Sequence, residues 1–232
     1  MCFVKLVLVR HGESIWNKEN KFTGWTDIDL SKNGVNEANN AGNLLKVNKY
    51  KFDIAYTSIL KRAINTLLII LNVLNQKDIY VNQSWKLNER HYGALQGLNK
   101  DEVINKYGYK QVYKWRRSLK AMPPYLFDKE SKEFASYCNN YINIDKKNIP
   151  ISENLELTMN RVYDYWENEI LHNLLNKKKI IIVSHGNTLR AMTYFLDNLN
   201  ESELLNLNIP TGIPIIYEFN NKIQPIRHYY LK

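Results

Sequence analysis

Two short apolar runs that end on the same dipeptide restrict the fold of this chain more than any other feature. Phe3-Val4-Lys5-Leu6-Val7-Leu8-Val9 runs into Arg10-His11-Gly12-Glu13-Ser14, and Lys179 to Ser184 runs into His185-Gly186-Asn187. Runs so short and so continuously apolar predict strands covered on both faces, the habit of a parallel sheet. Helical spacing surrounds them. Ser31 is expected to cap a helix carrying Val35, Ala38, Ala41, Leu44 and Leu45, and Ser58 a second carrying Leu60, Ala63, Ile64, Leu67, Leu68 and Leu71. Leu155, Met159, Val162, Trp166, Ile170 and Leu174 trace a third stripe, and a fourth helix is expected over Thr188 to Leu199. Phe52 to Thr57 and Ile79 to Val81 read as further strands. Ile213 to Phe219 and Ile223 to Tyr229 flank Asn220-Asn221 like a hairpin, with Pro225 placing the last strand near an edge. Strands alternating with helices predict an α/β fold, a mostly parallel central sheet flanked by helices on both faces. Such sheets take ligands at the carboxyl ends of their strands, where both His-Gly pairs fall.

No break in composition and no linker divides the 232 residues, so residues 1–232 are expected to form a single domain that buries about 70% of its unfolded surface. An inserted cap is expected over about residues 100–150. Lys100 to Trp115 looks helical with an interruption at Gly108, and Met122 to Pro150, with Pro123-Pro124 and paired asparagines, reads as a surface excursion of the kind that covers a site. The longest apolar stretches stop well short of the roughly 20 residues of a membrane span. The N-terminus shows no basic n-region and no small-residue cleavage site. No membrane partner is therefore expected, the cytoplasm is the expected compartment, and Cys2 and Cys138 are expected as free thiols.

The 32 Lys and Arg against 23 Asp and Glu leave a net charge of +9, which points to an anionic partner. Nucleic acid and a small phosphorylated metabolite both answer that description. Much of the excess, as in Lys146-Lys147 and Lys177-Lys178-Lys179, is scattered in the manner of a solvated face. The sequence has no P-loop, no G-x-G-x-x-G, no G-x-S-x-G, no H-E-x-x-H and no cysteine cluster, so ATP, dinucleotides, serine hydrolysis and zinc lack their usual marks. His11, Glu13, His91 and His185 are ligand types for a metal, against which neighbouring arginines argue.

The two histidines leave two readings. Each is a hydrogen-bonded interior residue, or together they are imidazoles projecting from neighbouring strand ends, where a neutral ring is a nucleophile toward phosphorus or an acyl carbon. Gly12 and Gly186 would then let an anion approach the backbone closely. Arg10 beside His11, Arg62 in the first turn of its helix, and the adjacent Arg116 and Arg117 are guanidinium forks suited to phosphate oxygens, or surface ion-pair residues. Leu87-Asn88-Glu89-Arg90-His91-Tyr92-Gly93 lacks the period of a helix or strand and is read as a site loop. In it Glu89 either supplies a proton to a leaving oxygen or pairs with Arg90.

Six blocks in order, Leu8 to Asn17, Phe22 to Trp25, Leu87 to Gly93, Trp115 to Ser118, Ser184 to Arg190 and Asn208 to Pro214, resemble the cofactor-dependent phosphoglycerate mutases of the histidine phosphatase superfamily. The likeness runs from about Lys5 to Tyr217 and implies that family's three-layer sandwich. It implies His11 as the phosphorylated nucleophile, Glu89 as the proton donor, and His185 as a stabiliser of the transferring phosphoryl group. Arg10, Ser14, Asn17, Thr23, Gly24, Arg62, Tyr92, Lys100, Arg116, Arg117, Gly186 and Asn187 match its substrate-binding positions. By the same resemblance the enzyme is primed by 2,3-bisphosphoglycerate, interconverts 2-phosphoglycerate and 3-phosphoglycerate, needs no metal, and assembles as a homodimer or homotetramer. Ser14 and Gly24 resemble the glycolytic mutases more than the bisphosphoglycerate synthases. The chain stops at Lys232, where many relatives continue into a Lys-rich tail, so a phosphatase of small phosphorylated metabolites on the same scaffold is the alternative. A basic nucleic-acid-binding module is a third reading, set behind both.

Overall fold

The computed structural model describes residues 4–232, so Phe3 of the expected first strand and the thiol of Cys2 lie outside the described residues. Within them, β1 (Val4–Arg10), β2 (Ile54–Thr57), β3 (Tyr80–Gln83), β4 (Ile180–Ser184), β5 (Ile215–Phe219) and β6 (Pro225–Tyr230) make one sheet in the order β3-β2-β4-β1-β5-β6. The pairs β3/β2, β2/β4 and β4/β1 are parallel, and β5 and β6 add an antiparallel hairpin on the β1 side. The α/β, mostly parallel sheet expected from the sequence is what forms. Pro225 opens β6, an edge strand, where a missing N–H breaks no ladder.

The helices are α1 (Ile15–Lys18), α2 (Lys32–Val47), α3 (Lys61–Val73), α4 (Lys100–Tyr107), α5 (Tyr109–Arg117), α6 (Lys132–Cys138), α7 (Leu155–Tyr165), α8 (Leu171–Leu175), α9 (Gly186–Leu196) and α10 (Glu201–Asn206). Successive strand residues face opposite sides, so each central strand feeds two cores. Leu6, Leu8, Tyr56, Ile180 and Ile182 pack with Val162, Leu189 and Met192 from α7 and α9. Val7, Val9, Ala55, Ile181 and Val183 pack with Ala41, Leu45, Leu67 and Ile70 from α2 and α3. Each fully buried Leu, Ile or Val contributes about 1.5–3 kcal/mol of transfer free energy. That is why a continuous apolar run, useless to a one-sided strand, holds the middle of this sheet. No helix among the described residues is long and apolar enough to cross a membrane.

Several local expectations give way to tertiary contacts. The stripe from Leu155 to Leu174 is interrupted by a π-turn at Trp166–Ile170, whose wider winding lets Tyr165 and Trp166 both face the core. Ser58 does not cap α3: the helix starts after Leu60 with no side-chain cap, and the Ser58 hydroxyl instead meets His185. The helix expected from Thr188 begins two residues earlier, at Gly186. The excursion between Met122 and Pro150 contains α6, with Phe134, Cys138, Ile144 and Ile149 forming a satellite core around Trp25. α10 was not anticipated, although Asn200 and Glu203 form a reciprocal capping box. Gly108 separates α4 from α5 as expected, at φ +82°.

The loop after β1 is held by a close approach of two backbones. A Cβ on Gly34 of α2 would lie 2.0 Å from the Glu13 carbonyl oxygen, and one on Gly12 would lie 2.2 Å from that of Gly34. Both obstacles are main chain, so neither can swing away. Gly34→Ala is expected to cost about 1–3 kcal/mol, a fall of roughly 2–4 °C in melting temperature per kcal/mol for a chain of this size. An unchanged melt in differential scanning calorimetry would show that the loop yields freely.

Candidate active site

Parallel pairing of β1 with β4 sets Arg10 opposite Ser184, and the His11 N–H donates to the Ser184 carbonyl at 2.9 Å. Both histidines therefore leave the sheet side by side at the carboxyl ends of the two innermost parallel strands. Their rings meet edge-on, with centroids 4.9 Å apart. His11 Nδ1 lies 2.6 Å from the Gly12 carbonyl oxygen. A carbonyl only accepts, so Nδ1 carries the proton and the neutral ring keeps its lone pair on Nε2. Burial holds the His11 pKa well below the ordinary 6.5, with Arg62 and Arg10 lowering it further against the Gly12 hydrogen bond. His185 is pushed down in the same way, first by burial and then by Arg62. Its Nε2 is 2.7 Å from Ser58 Oγ, and its buried Nδ1 has no partner in the protein.

The cleft lined by His11 also takes in Arg10, Asn17, Lys21, Phe22, Thr23, Gly24, Arg62, Glu89, Tyr92, Lys100, Arg116, Arg117, Gly186, Asn187, Arg190, Asn208 and Ile209. Seven of these side chains are cations and one, Glu89, is a carboxylate. Arg62, second in α3 and buried, donates to the carbonyls of Gly24 at 2.7 Å and Thr26 at 2.9 Å. Gly24 is required where it stands: φ is +55°, and a Cβ would run into Gln96. Burial lowers the Arg62 pKa to about 10, which leaves it a cation at neutral pH. Arg10 donates to the Ile209 carbonyl at 2.8 Å, and burial lowers its pKa against the pull of Glu89. Lys100 is lowered by burial and then by Arg116.

Glu89 hangs over the N-terminus of α9, where the helix dipole favours negative charge. Its Oε1 accepts from the Arg90 N–H at 2.8 Å and from Asn187 Nδ2 at 2.8 Å. The reading in which it pairs with the Arg90 side chain is not what the structure shows; the Arg90 guanidinium stacks 4.5 Å from the centre of the Tyr92 ring. For the Tyr92 phenol, burial raises the pKa, but Arg90 and further hydrogen bonds outweigh it and the net displacement is downward.

Thirteen of the fifteen residues singled out from the sequence line this cleft. Ser14 and His185 do not. Ser14 is buried as the N-cap of α1, its hydroxyl accepting from the Asn17 N–H while Asn17 Oδ1 accepts from the Ser14 N–H. His185 stands behind His11. Gly12 differs from the expectation placed on it: its N–H donates to Thr66 Oγ1 and its α-carbon packs on Gly34, so it faces the scaffold rather than a ligand. Lys21 and Arg190 were missed. Arg190 lies one turn beyond Asn187 on α9, donates to Asn187 Oδ1 at 3.0 Å and to the Leu204 carbonyl, and has a pKa lowered by burial to about 10. Among the described residues no three of His, Cys, Asp and Glu converge as metal ligands. The Glu13 carboxylate is taken by Ser31 and His91 faces Tyr137.

A family model described as the histidine phosphatase superfamily (branch 1) matches residues 6–135. The 2,3-bisphosphoglycerate-dependent phosphoglycerate mutase of Blochmanniella pennsylvanica (strain BPEN) is 54% identical over 232 residues, covering 100% of both chains. Among solved structures, phosphoglycerate mutase from Bacillus anthracis str. Sterne superposes with a TM-score of 0.68 at 22% identity, over 98% of this chain and 91% of that one. A mycobacterial glucosyl-3-phosphoglycerate phosphatase in complex with VO3 gives 0.72 at 18% identity, over 97% and 96%. At those identities the structural likeness is one of fold.

Proposed function

The chain belongs to the histidine phosphatase superfamily, and we propose that it is a 2,3-bisphosphoglycerate-dependent phosphoglycerate mutase interconverting 2-phosphoglycerate and 3-phosphoglycerate through a phosphohistidine on His11. The observation that carries this reading is the Nδ1–H of His11 locked onto the Gly12 carbonyl, which leaves Nε2 as the nucleophilic nitrogen of a ring lining an arginine-rich cleft. Full-length identity of 54% to a mutase supports the choice of substrate.

The residues suit a ligand bearing several negative charges. Arg10 Nε, Arg62 Nε and Arg190 Nε are buried without a partner in the protein, as is Thr23 Oγ1. Buried donors of that kind are costly unless an acceptor meets them. When bound, 2,3-bisphosphoglycerate supplies the phosphoryl group that charges His11. In that step the Nε2–phosphorus bond forms, the phosphorus–oxygen bond to the sugar acid breaks, and Glu89 gives its proton to the departing oxygen. In reverse Glu89 takes the proton of the incoming hydroxyl. Arg10, Arg62 and Asn187 hold the transferring group, with His185 behind it as stabiliser. Lys100, Arg116, Arg117 and Tyr92 hold the remaining charge, and Asn17, Thr23, Gly24 and Gly186 shape the wall. Ser14 acts by fixing Asn17. Fixed cations aimed at developing charge are the main source of rate enhancement in phosphoryl transfer.

The same reading includes a cap over residues 100–150 on a single domain, a cytoplasmic location, a homodimer or homotetramer, and no metal, membrane or nucleic-acid partner. Phosphoglycerate mutase and phosphoglycerate phosphatase rates, measured side by side with primer present, test it. Isomerisation is expected to exceed hydrolysis by at least about tenfold, or 1.4 kcal/mol of barrier. Hydrolysis equal to or faster than isomerisation would make the protein a phosphatase on this scaffold.

A further inference from the structure

Residues 87–93 carry Glu89 yet lack any strand or long helix to fix them; only short 3-10 turns flank them, at Trp85–Leu87 and Gly93–Leu95. Ser184 and Thr188 hold the near side, their hydroxyls donating to the Leu87 and Asn88 carbonyls, each at 2.7 Å, and a buried ion pair holds the far side of the loop. Arg161, on α7, is bound to Glu153 through both Nε, at 2.7 Å, and Nη2, at 2.9 Å. Its other three N–H groups go to the loop backbone: Nη1 donates to the carbonyls of Lys86 at 2.8 Å and Asn88 at 2.9 Å, and Nη2 to that of Glu89 at 3.0 Å. All five donors of the guanidinium are thereby used. Glu153 completes the clamp, since its Oε2 accepts from the His91 N–H and its own N–H donates to the His91 carbonyl, both at 2.8 Å.

We propose that the Glu153–Arg161 pair is a positioning device for phosphoryl transfer, setting the direction in which Glu89 presents its carboxyl group. This rests on the proton-transfer reading of Glu89 given above. With the main chain of residues 86, 88, 89 and 91 held from behind, the Glu89 side chain projects toward α9, where Asn187 receives it. Neither member of the pair lines the cleft, so a change here should alter where the proton is delivered and leave substrate affinity alone. Displacement of a reacting group by about 1 Å is enough for a rate loss near 10²-fold.

The test is a double-mutant cycle of Arg161→Lys and Glu89→Gln, read as the single-turnover rate of His11 phosphorylation by labelled 2,3-bisphosphoglycerate. Arg161→Lys keeps the charge beside Glu153 and loses the fork. It is expected to slow phosphorylation by about 10–100-fold with the KM for 3-phosphoglycerate changed less than about threefold, and the double variant should be no slower than Glu89→Gln alone. Losses that multiply in the double variant, or a KM that rises with the rate loss, would reduce the pair to a general brace. Glu89→Gln at the parental rate would overturn the proton-transfer reading itself, a different failure with its own signature. Should Arg161→Lys melt below the assay temperature, Glu153→Gln takes its place in the same cycle, because the amide oxygen still accepts from His91 or Arg161.

Discussion

His11→Ala is expected to abolish incorporation of acid-labile phosphate from labelled 2,3-bisphosphoglycerate and to lower mutase turnover on the order of 10⁴-fold or more, as deletion of a covalent nucleophile does. The fold should survive. His11 lies just past the end of β1 and belongs to neither of the two main cores. Truncation leaves the Gly12 carbonyl without its donor, at about 1–3 kcal/mol. It also removes an imidazole whose burial beside Arg62 and Arg10 is unfavourable to its charged form. A melting temperature within several degrees of the parent, combined with the loss of phosphorylation, assigns the residue to chemistry. Persistence of the acid-labile adduct in the variant would remove His11 as its carrier, and wholesale unfolding would show the residue to be structural.

That the proposed nucleophile can be picked from the sequence at all follows from the geometry of parallel sheets. A strand has no polar positions where both its faces are covered, here from Leu6 to Val9, so the change from Val9 to Arg10-His11 marks where the strand reaches the ligand-binding edge, and the repeat at Ser184-His185 marks a second. Adjacency of those two ends is a matter of strand order, which periodicity does not encode; β4 inserts between β2 and β1 only in the folded molecule. Arg190 illustrates what stays hidden. It is one of 32 basic residues, and although it closes the block from Ser184 to Arg190, its charge alone does not tell it from the exposed Lys177 and Lys178 as a residue of the cleft. Its distinction is burial, conferred by packing of α9 against the sheet. Ser58 shows the opposite error: its local chemistry suits a helix cap, but its hydroxyl accepts from the Leu60 N–H ahead of α3 and meets the buried imidazole of His185 at the end of the neighbouring strand. The roles of Arg161 and Glu153 are hidden for the same reason: one donates to backbone carbonyls and the other accepts from a backbone N–H, all far away in sequence, and such contacts leave no spacing to read.

The burial that lowers the pKa of His11, His91 and His185 should make the protein sensitive to acid. A buried imidazole held below its ordinary pKa of 6.5 takes a proton readily in the unfolded chain and resists it in the folded one. Its contribution to stability is therefore whole above that ordinary value and is lost as pH falls below it, until the folded value is reached. For His91 burial, set against Glu153 and aided by Arg161, brings the folded value to about 4. The window for this group accordingly runs from about pH 6.5 down to about pH 4, and between about pH 7 and pH 5 it alone should remove about 2 kcal/mol. His11 and His185 are displaced in the same direction and add to the loss. Glu153 and Glu218, held below the ordinary carboxylate value of 4.5, have the same sign but act only at lower pH. Against a total stability of about 5–15 kcal/mol, a loss from three histidines is large, and the urea midpoint should fall steeply from about pH 7 to pH 5. His91→Asn, whose amide oxygen can still accept from the Gly93 N–H, should flatten that slope by the share that His91 contributes, about 2 kcal/mol between pH 7 and pH 5. Equal midpoints at the two pH values, or an unaltered slope in the variant, would mean that these rings take up protons in the folded state as easily as in the unfolded one.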